Sequence, residues 1–125
     1  MRTETLRGRY ERTGDFHQFE LYGADLRSLG RLVSSSTVDD WPLRVQIGQG
    51  CIQFEPGSPG SFSARLSSEG TVIVSADPHY LVELAKDFAQ MADDPYDFVH
   101  VHLDVYFSRP GEQVSDIVVQ RIESE

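Results

Sequence analysis

The chain has 125 residues, of which 39% are hydrophobic and 25% are charged. A chain of this length fits one domain with a buried core, which disfavours both a disordered protein and a two-domain enzyme. Eleven basic and 20 acidic residues give a net charge of −9, which opposes binding to the phosphate backbone of nucleic acids and to anionic membranes. We therefore expect one acidic domain, residues 1–125, that binds neither nucleic acid nor a membrane.

The first half of the chain predicts strands around one weak helix. The run from Leu6 to Arg12 predicts an edge strand, and Phe16 to Tyr22 predicts the strand that follows it. A helix comes next, because apolar residues recur every three or four positions, although Gly30 weakens it. Its apolar stripe consists of Leu26, Leu29, Leu32 and Val33. Glycine-containing turns then separate four more predicted strands, at residues 45–47, 51–54, 62–66 and 71–75.

The second half contains the clearest helix and a C-terminal hairpin. Asp77 and Pro78 supply a capping carboxylate and a first-turn proline, so a helix is predicted to begin there. Its apolar stripe ends near Asp93, two residues before a proline that cannot continue the helix. Apolar residues then alternate over residues 98–107, which predicts a long strand, and residues 114–122 predict the strand that returns beside it.

These elements define an α+β fold, which we predict as a largely antiparallel sheet with two helices packed on one face. The order strand, helix, strand, strand occurs twice, over residues 16–66 and 70–122. Leu26 and Leu29 in the first helix match Leu81 and Leu84 in the second. An internal duplication explains this likeness, and two unrelated amphipathic helices with similar flanks are the alternative.

Cysteine content and the N-terminal sequence indicate the compartment. Cys51 is the only cysteine, which excludes an internal disulfide and a zinc site built from several thiolates. The N-terminus lacks the apolar run of a signal peptide, and no stretch of about 18 apolar residues could span a bilayer. These features predict a protein of the reducing cytoplasm.

A metal site is one interpretation of His100, His102 and Asp104. On a strand these side chains share one face, and two imidazoles with a carboxylate are a known ligand set. Alternate side chains of one strand are about 7 Å apart, so a second segment would have to contribute a ligand. A second interpretation is an exposed or partner-facing sheet surface, to which Tyr106 would add an aromatic side chain, and a third is that the histidines are buried and hydrogen-bonded.

Four carboxylates cluster where the second helix is predicted to end: Asp87, Asp93, Asp94 and Asp97. The whole net charge lies in this half, because the first 68 residues contain eight acids and eight bases whereas the rest contain twelve acids and three bases. The cluster lacks the glycine and the final glutamate of a calcium-binding loop. A docking surface for a basic protein and a solvated turn are the two interpretations.

No motif indicates catalysis. The sequence has no Gly-x-Ser-x-Gly elbow, and Cys51 stands in an apolar run without a neighbouring base. Gly48 and Gly50 flank a turn that lacks both the lysine of a phosphate-binding loop and the third glycine of a dinucleotide fingerprint. We therefore predict a non-enzymatic protein with no catalytic residues and no cofactor.

The C-terminal half resembles a family of small bacterial immunity proteins of polymorphic toxin systems, the thirty-second in their usual numbering. The segment Leu81-Val82-Glu83-Leu84-Ala85, an acidic turn, and the strand Val99-His100-Val101-His102-Leu103-Asp104 carry the resemblance, which covers about residues 70–122. It implies a non-catalytic protein that binds and neutralises a protein toxin, for which the acidic cluster predicts a basic partner. A metal-binding protein and a small homodimeric interaction domain are the alternatives.

Overall fold

Two helices and nine strands are present in the part of the chain that the structure, a computed structural model, describes. That part comprises residues 1–68, 70–94, 100–103 and 117–122. The elements in chain order are β1 (Arg2–Leu6), β2 (Gly8–Thr13), β3 (Phe16–Tyr22), α1 (Gly23–Ser35), β4 (Leu43–Ile47), β5 (Gly50–Pro56), β6 (Phe62–Ser68), β7 (Thr71–Ala76), α2 (Pro78–Asp93), β8 (His100–His102) and β9 (Ile117–Ile122). The predicted α+β class is confirmed.

The strands form two sheets, where the sequence led us to expect one. Sheet 1 has the order β1-β4-β5-β7-β6, and sheet 2 has the order β2-β3-β9-β8. Four of the seven strand pairs are antiparallel, and the parallel ones are β1 with β4, β5 with β7, and β3 with β9. Only Arg7 separates β1 from β2, so the chain passes from sheet 1 to sheet 2 within one residue.

The two sheets and both helices share one apolar core. Buried side chains alternate along the strands, with Val45 and Phe54 in sheet 1 and Phe19 and Val119 in sheet 2 facing the same cluster. The burial of such side chains is the main favourable contribution to folding. No helix in the described ranges is long and apolar enough to cross a membrane.

The helices pack against each other at a glycine. A Cβ atom built on Gly30 would lie 2.7 Å from the carbonyl oxygen of Ala85, closer than a real side chain tolerates. Gly30 weakens the helix intrinsically, but its missing side chain lets the two backbones approach. The sequence feature that lowers the helix propensity of α1 is therefore the one that allows α1 and α2 to meet.

The predicted repetition of element order is present: β3-α1-β4-β5 is followed by β7-α2-β8-β9. Moreover, the order β4-β5-β7-β6 in sheet 1 corresponds to β8-β9-β3-β2 in sheet 2, and each corresponding pair runs in the same relative direction. Because β2 corresponds to β6, the structural halves run from β2 to β5 and from β6 to β9, and each sheet combines strands of both halves. A duplication as the origin of this arrangement stays a prediction.

The helix N-termini differ between the halves. Asp77 caps α2, with one carboxylate oxygen accepting a hydrogen bond from the His79 backbone N–H at 2.9 Å. Tyr22 stands at the corresponding position of α1 and makes no side-chain cap. Instead, Asp25 in the first turn of α1 accepts a hydrogen bond from the Arg7 backbone N–H at 3.3 Å, which ties the helix to the crossover between the sheets.

Candidate functional site

The predicted acidic cluster lies at the C-terminal end of α2. Asp87 and Asp94 are seven residues apart and therefore lie on one side of the helix, where both are half-buried. Asp93 points towards α1, remains 65% exposed and forms an ion pair with Arg27. Asp97, the fourth member of the prediction, lies outside the described residues. Asp93 thus lies on a different side of the helix from Asp87 and Asp94. These three described carboxylates are called the acidic end of α2 below.

Carboxylates are electrostatically unfavourable at this end of a helix. The unpaired carbonyl groups give a helix C-terminus a partial negative charge, which favours lysine or arginine there, yet the last turn of α2 contains no basic residue. Arg121 of β9 compensates, because its Nη1 donates to the carbonyl oxygens of Met91 at 2.8 Å and Asp94 at 2.5 Å. A cation from a distant strand thus caps a helix end that carries acidic side chains.

Arg121 is a residue that sequence reasoning missed. It follows Ile117 and Val119 at alternate positions of β9, so the strand periodicity assigns it to the core-facing side. An arginine on the inward-facing side of an apolar strand needs a buried acceptor. The position of Arg121 in the alternation was therefore a signal that this residue has a buried acceptor. The alternation does not identify that acceptor.

The two histidines of the predicted metal site lie together on β8. His100 is exposed and His102 is half-buried, whereas Val101 between them is buried, as the alternation predicts. The imidazole centroids of His100 and His102 are 4.8 Å apart in an edge-on arrangement. Asp104 and Tyr106 lie outside the described residues, and within those residues no group of three His, Cys, Asp or Glu side chains could hold a metal ion.

The outward face of sheet 2 surrounds these histidines with paired polar side chains. Gln18 donates to Gln120 at 2.6 Å, and Arg9 donates to Glu20 at 3.2 Å. The Arg9–Glu20 pair is covered on one side, because the Glu20 side chain is 9% exposed and that of Arg9 is 63% exposed. The polar side chains of this face are suited to a polar partner.

A buried polar pair on the opposite face of sheet 2 was not predicted. His17 is 2% exposed, and its Nδ1 lies 2.5 Å from the hydroxyl oxygen of Tyr10 on the neighbouring strand. Phe19 and Leu21 share the inward-facing side of β3 with His17. The period of two along β3 was a signal for this burial, but the sequence did not identify the hydroxyl partner.

Two exposed carboxyl groups have structural roles. Oδ2 of Asp77 accepts a hydrogen bond from the Gly60 backbone N–H at 2.7 Å, and this bond, with that from His79, lowers the pKa of the Asp77 carboxyl. The Thr37 backbone N–H likewise lowers the pKa of the Asp40 carboxyl, at 2.8 Å. Both groups close local turns, and the Thr37 hydroxyl also donates a hydrogen bond to Asp40 at 3.2 Å.

In comparisons with protein families, curated proteins and solved structures, nothing matches this chain. The resemblance to immunity proteins therefore depends on the residues quoted above, and the immunity function stays a prediction.

Proposed function

We propose that this chain is a non-catalytic immunity protein that binds and neutralises a basic protein toxin through the acidic end of α2. The observation that carries the proposal is the presence of Asp93 and Asp94 at a helix end that disfavours negative charge, with Asp87 about two turns earlier on the same helix. Sites that contradict a local stability rule are often functional, because selection for stability alone would replace them.

The compensation by Arg121 supports the same interpretation. The Arg121 guanidinium donates to the carbonyl groups at the end of α2, so this end keeps hydrogen-bond partners although it carries acidic side chains, of which Asp93 is 65% exposed. A lysine in the last turn of α2 would give the same stability without acidic side chains. The chain instead uses a cation from β9 and keeps the helix surface negative.

The ion pair between Arg27 and Asp93 is suited to exchange for a partner's cation. Both side chains are about half exposed or more, at 47% for Arg27 and 65% for Asp93. Because exposed pairs of this kind contribute about 0–1 kcal/mol, a toxin arginine could displace Arg27 at little cost. Arg27 would then hold Asp93 in place until the toxin binds.

The net charge of the second half would also speed the encounter. A field of one sign steers an oppositely charged partner and raises the association rate constant, with a strong dependence on ionic strength. A basic toxin, for example a nuclease with a cationic active site, is the class of partner that such a field selects. The same field repels the nucleic acid that a nuclease binds.

The first test of this function is a growth assay. The C-terminal domain of a large secreted protein encoded beside this chain is expressed in bacteria with and without the chain. We expect killing that the chain relieves, together with a stable complex in which the toxin's activity is blocked. Killing without relief, or the lack of a toxic neighbour, would contradict the immunity function.

The role of the acidic end is tested with charge reversals in the same complex. Asp93→Lys with Asp94→Lys should lower the association rate constant by at least about tenfold at low salt and flatten its dependence on salt. Glu11→Lys, at an exposed carboxylate on β2, is a matched control and should change the rate much less. Equal effects of the two changes would assign recognition to net charge and not to this site.

A further inference from the structure

We infer that a cavity between β6 and sheet 2 binds a small organic carboxylate. The cavity measures about 310 Å³ and is bordered by Arg65 and Ala64 of β6, and by His17 and Arg12 of the β2–β3 hairpin. This volume is at the lower end of the range for small-molecule sites, which are mostly apolar with a few polar groups. The inference is independent of the toxin-binding function proposed above.

Comparison of the two halves explains why there is a cavity. Tyr10 of β2 pairs with Phe19 of β3 as Ala64 of β6 pairs with Val74 of β7, so Tyr10 and Ala64 are equivalent. The Tyr10 ring fills its own half so closely that a Cβ atom on Gly50 would lie 2.6 Å from it. Ala64 places one methyl group where the other half has a phenol, and space is left.

The buried imidazole of His17 provides a polar group at this cavity. Its equivalent in the other half is Val72, which is fully buried and apolar. Burial of an imidazole costs free energy unless its nitrogens have partners, and Tyr10 satisfies only Nδ1. Nε2 has no hydrogen-bond partner among the described residues, so it is available to donate to a ligand oxygen.

The charges at the cavity select an anion. Among the described residues that line the cavity, Arg12 and Arg65 contribute two guanidinium groups and Asp15 contributes one carboxylate. Arg65 is exposed and makes no ion pair with a described residue, while Nε of Arg12 donates to the Gly14 carbonyl oxygen at 2.9 Å and is thereby oriented. Guanidinium groups bind carboxylates through two parallel hydrogen bonds.

The remaining lining selects a short apolar body on that carboxylate. Ala64 and Leu66 come from β6, and Leu66 is 44% exposed, so part of its apolar surface is accessible to a ligand. A ligand with an apolar body would cover this side chain. Benzoate and butyrate have the right size and charge, and the equally sized amides benzamide and butyramide lack only the charge.

The test is a titration of the full chain with benzoate, in which calorimetry measures the affinity and backbone amide chemical shifts in NMR locate the binding site. We expect saturable binding that perturbs residues of β2, β3 and β6, and at least about tenfold weaker binding of benzamide. Arg65→Gln should weaken benzoate binding at least about fivefold, and Ala64→Tyr should abolish it because the phenol fills the cavity as Tyr10 does. Arg31→Gln, on α1, is the charge-matched control and should leave the affinity within about twofold.

Four outcomes would overturn the inference. They are no saturable binding of either carboxylate, equal binding of benzoate and benzamide, equal losses in Arg65→Gln and Arg31→Gln, and chemical-shift changes confined to other parts of the chain. Thermal unfolding of each variant shows whether it is folded, and Arg65→Gln provides the decisive comparison if Ala64→Tyr does not fold.

Discussion

The two halves of this molecule share their element order, and they differ most where polar side chains enter the core. In the first half Tyr10 and His17 form a buried hydrogen-bonded pair. In the second half the equivalent residues are Ala64 and Val72, which are small or apolar. One backbone arrangement thus tolerates two different core chemistries, because Tyr10 and His17 satisfy each other by a hydrogen bond, and the smaller Ala64 leaves the cavity described above without burying a polar group.

The helices differ in a second way. α1 has no side-chain N-cap and ends without acidic residues, whereas α2 begins at the capping Asp77 and ends among carboxylates. The halves therefore need not be equally stable or equally functional. If one half is specialised for stability and the other for binding, equivalent substitutions will have unequal effects, and the following variants measure that inequality.

The largest difference is expected in the helix core. Phe88 of α2 is fully buried and packs edge-on against Phe54 with ring centroids 6.4 Å apart, and its equivalent in α1 is the smaller Val33. Phe88→Ala should lower the free energy of unfolding by about 3–5 kcal/mol, because it leaves a cavity. Val33→Ala removes two carbon atoms and should cost about 2 kcal/mol.

Urea denaturation measures both values, and an unchanged m-value checks that the denatured states are comparable. Losses of equal size in the two variants would mean that the α2 side of the core relaxes around the missing ring. The two halves would then be packed less differently than the side chains suggest.

The helix contact provides the next comparison. Gly30→Ala places a Cβ atom 2.7 Å from a backbone oxygen, so we expect a loss of about 1–3 kcal/mol although alanine is the better helix former. Ala85→Gly, at the equivalent position in α2, should cost only about 1 kcal/mol through helix propensity. The measurement is again urea denaturation, and a stabilised Gly30→Ala variant would show that the helices can move apart freely.

The sequence predicted the elements of this fold better than their partners. The cap at Asp77 and the spacing from Leu81 to Phe88 identify α2 because both are local features. Periodicity assigns a strand to a face but not to a neighbour, so the division into two sheets and the parallel pairing of β3 with β9 were not predicted. β1 was missed because four of its five residues are polar, so its sequence lacks the apolar alternation of a strand.

The candidate site shows the same contrast between local features, which the sequence predicts, and long-range contacts, which it does not predict. The acidic residues at the end of α2 are consecutive or about two turns apart on one helix, so the sequence located them. Arg121, which caps that helix end, comes 27 residues after Asp94, and only the strand order of sheet 2 brings the two together. A single sequence contains no signal that connects such residues.

The buried pair in sheet 2 can be exchanged for its apolar equivalent. Tyr10→Phe leaves Nδ1 of His17 buried without a partner, so we expect a loss of about 1–3 kcal/mol. Adding His17→Val restores an apolar pair like that of the other half, and the double variant should recover to within about 1 kcal/mol of the original. A double-mutant cycle of unfolding free energies measures the coupling, and additive losses would contradict a direct interaction between the two residues.

The smallest expected difference concerns the helix caps and depends on pH. Asp77→Asn keeps one acceptor oxygen for His79 but loses the acceptor for the Gly60 N–H, so we expect the midpoint of thermal unfolding, Tm, to fall by a few degrees at pH 7.

Hydrogen bonds from these two N–H groups lower the pKa of the Asp77 carboxyl in the folded state. The carboxylate therefore stabilises the fold above its unfolded pKa of about 3.9, and this stabilisation is lost as the pH falls through the lower folded pKa. The Tm difference between the original chain and Asp77→Asn should shrink from pH 5 towards pH 3, whereas Asp77→Ala, which loses both acceptors, should remain less stable than Asp77→Asn throughout. A difference that stays constant across this range would show that the cap acts through hydrogen-bond geometry and not through charge, and the helix starts of the two halves would then differ in shape alone.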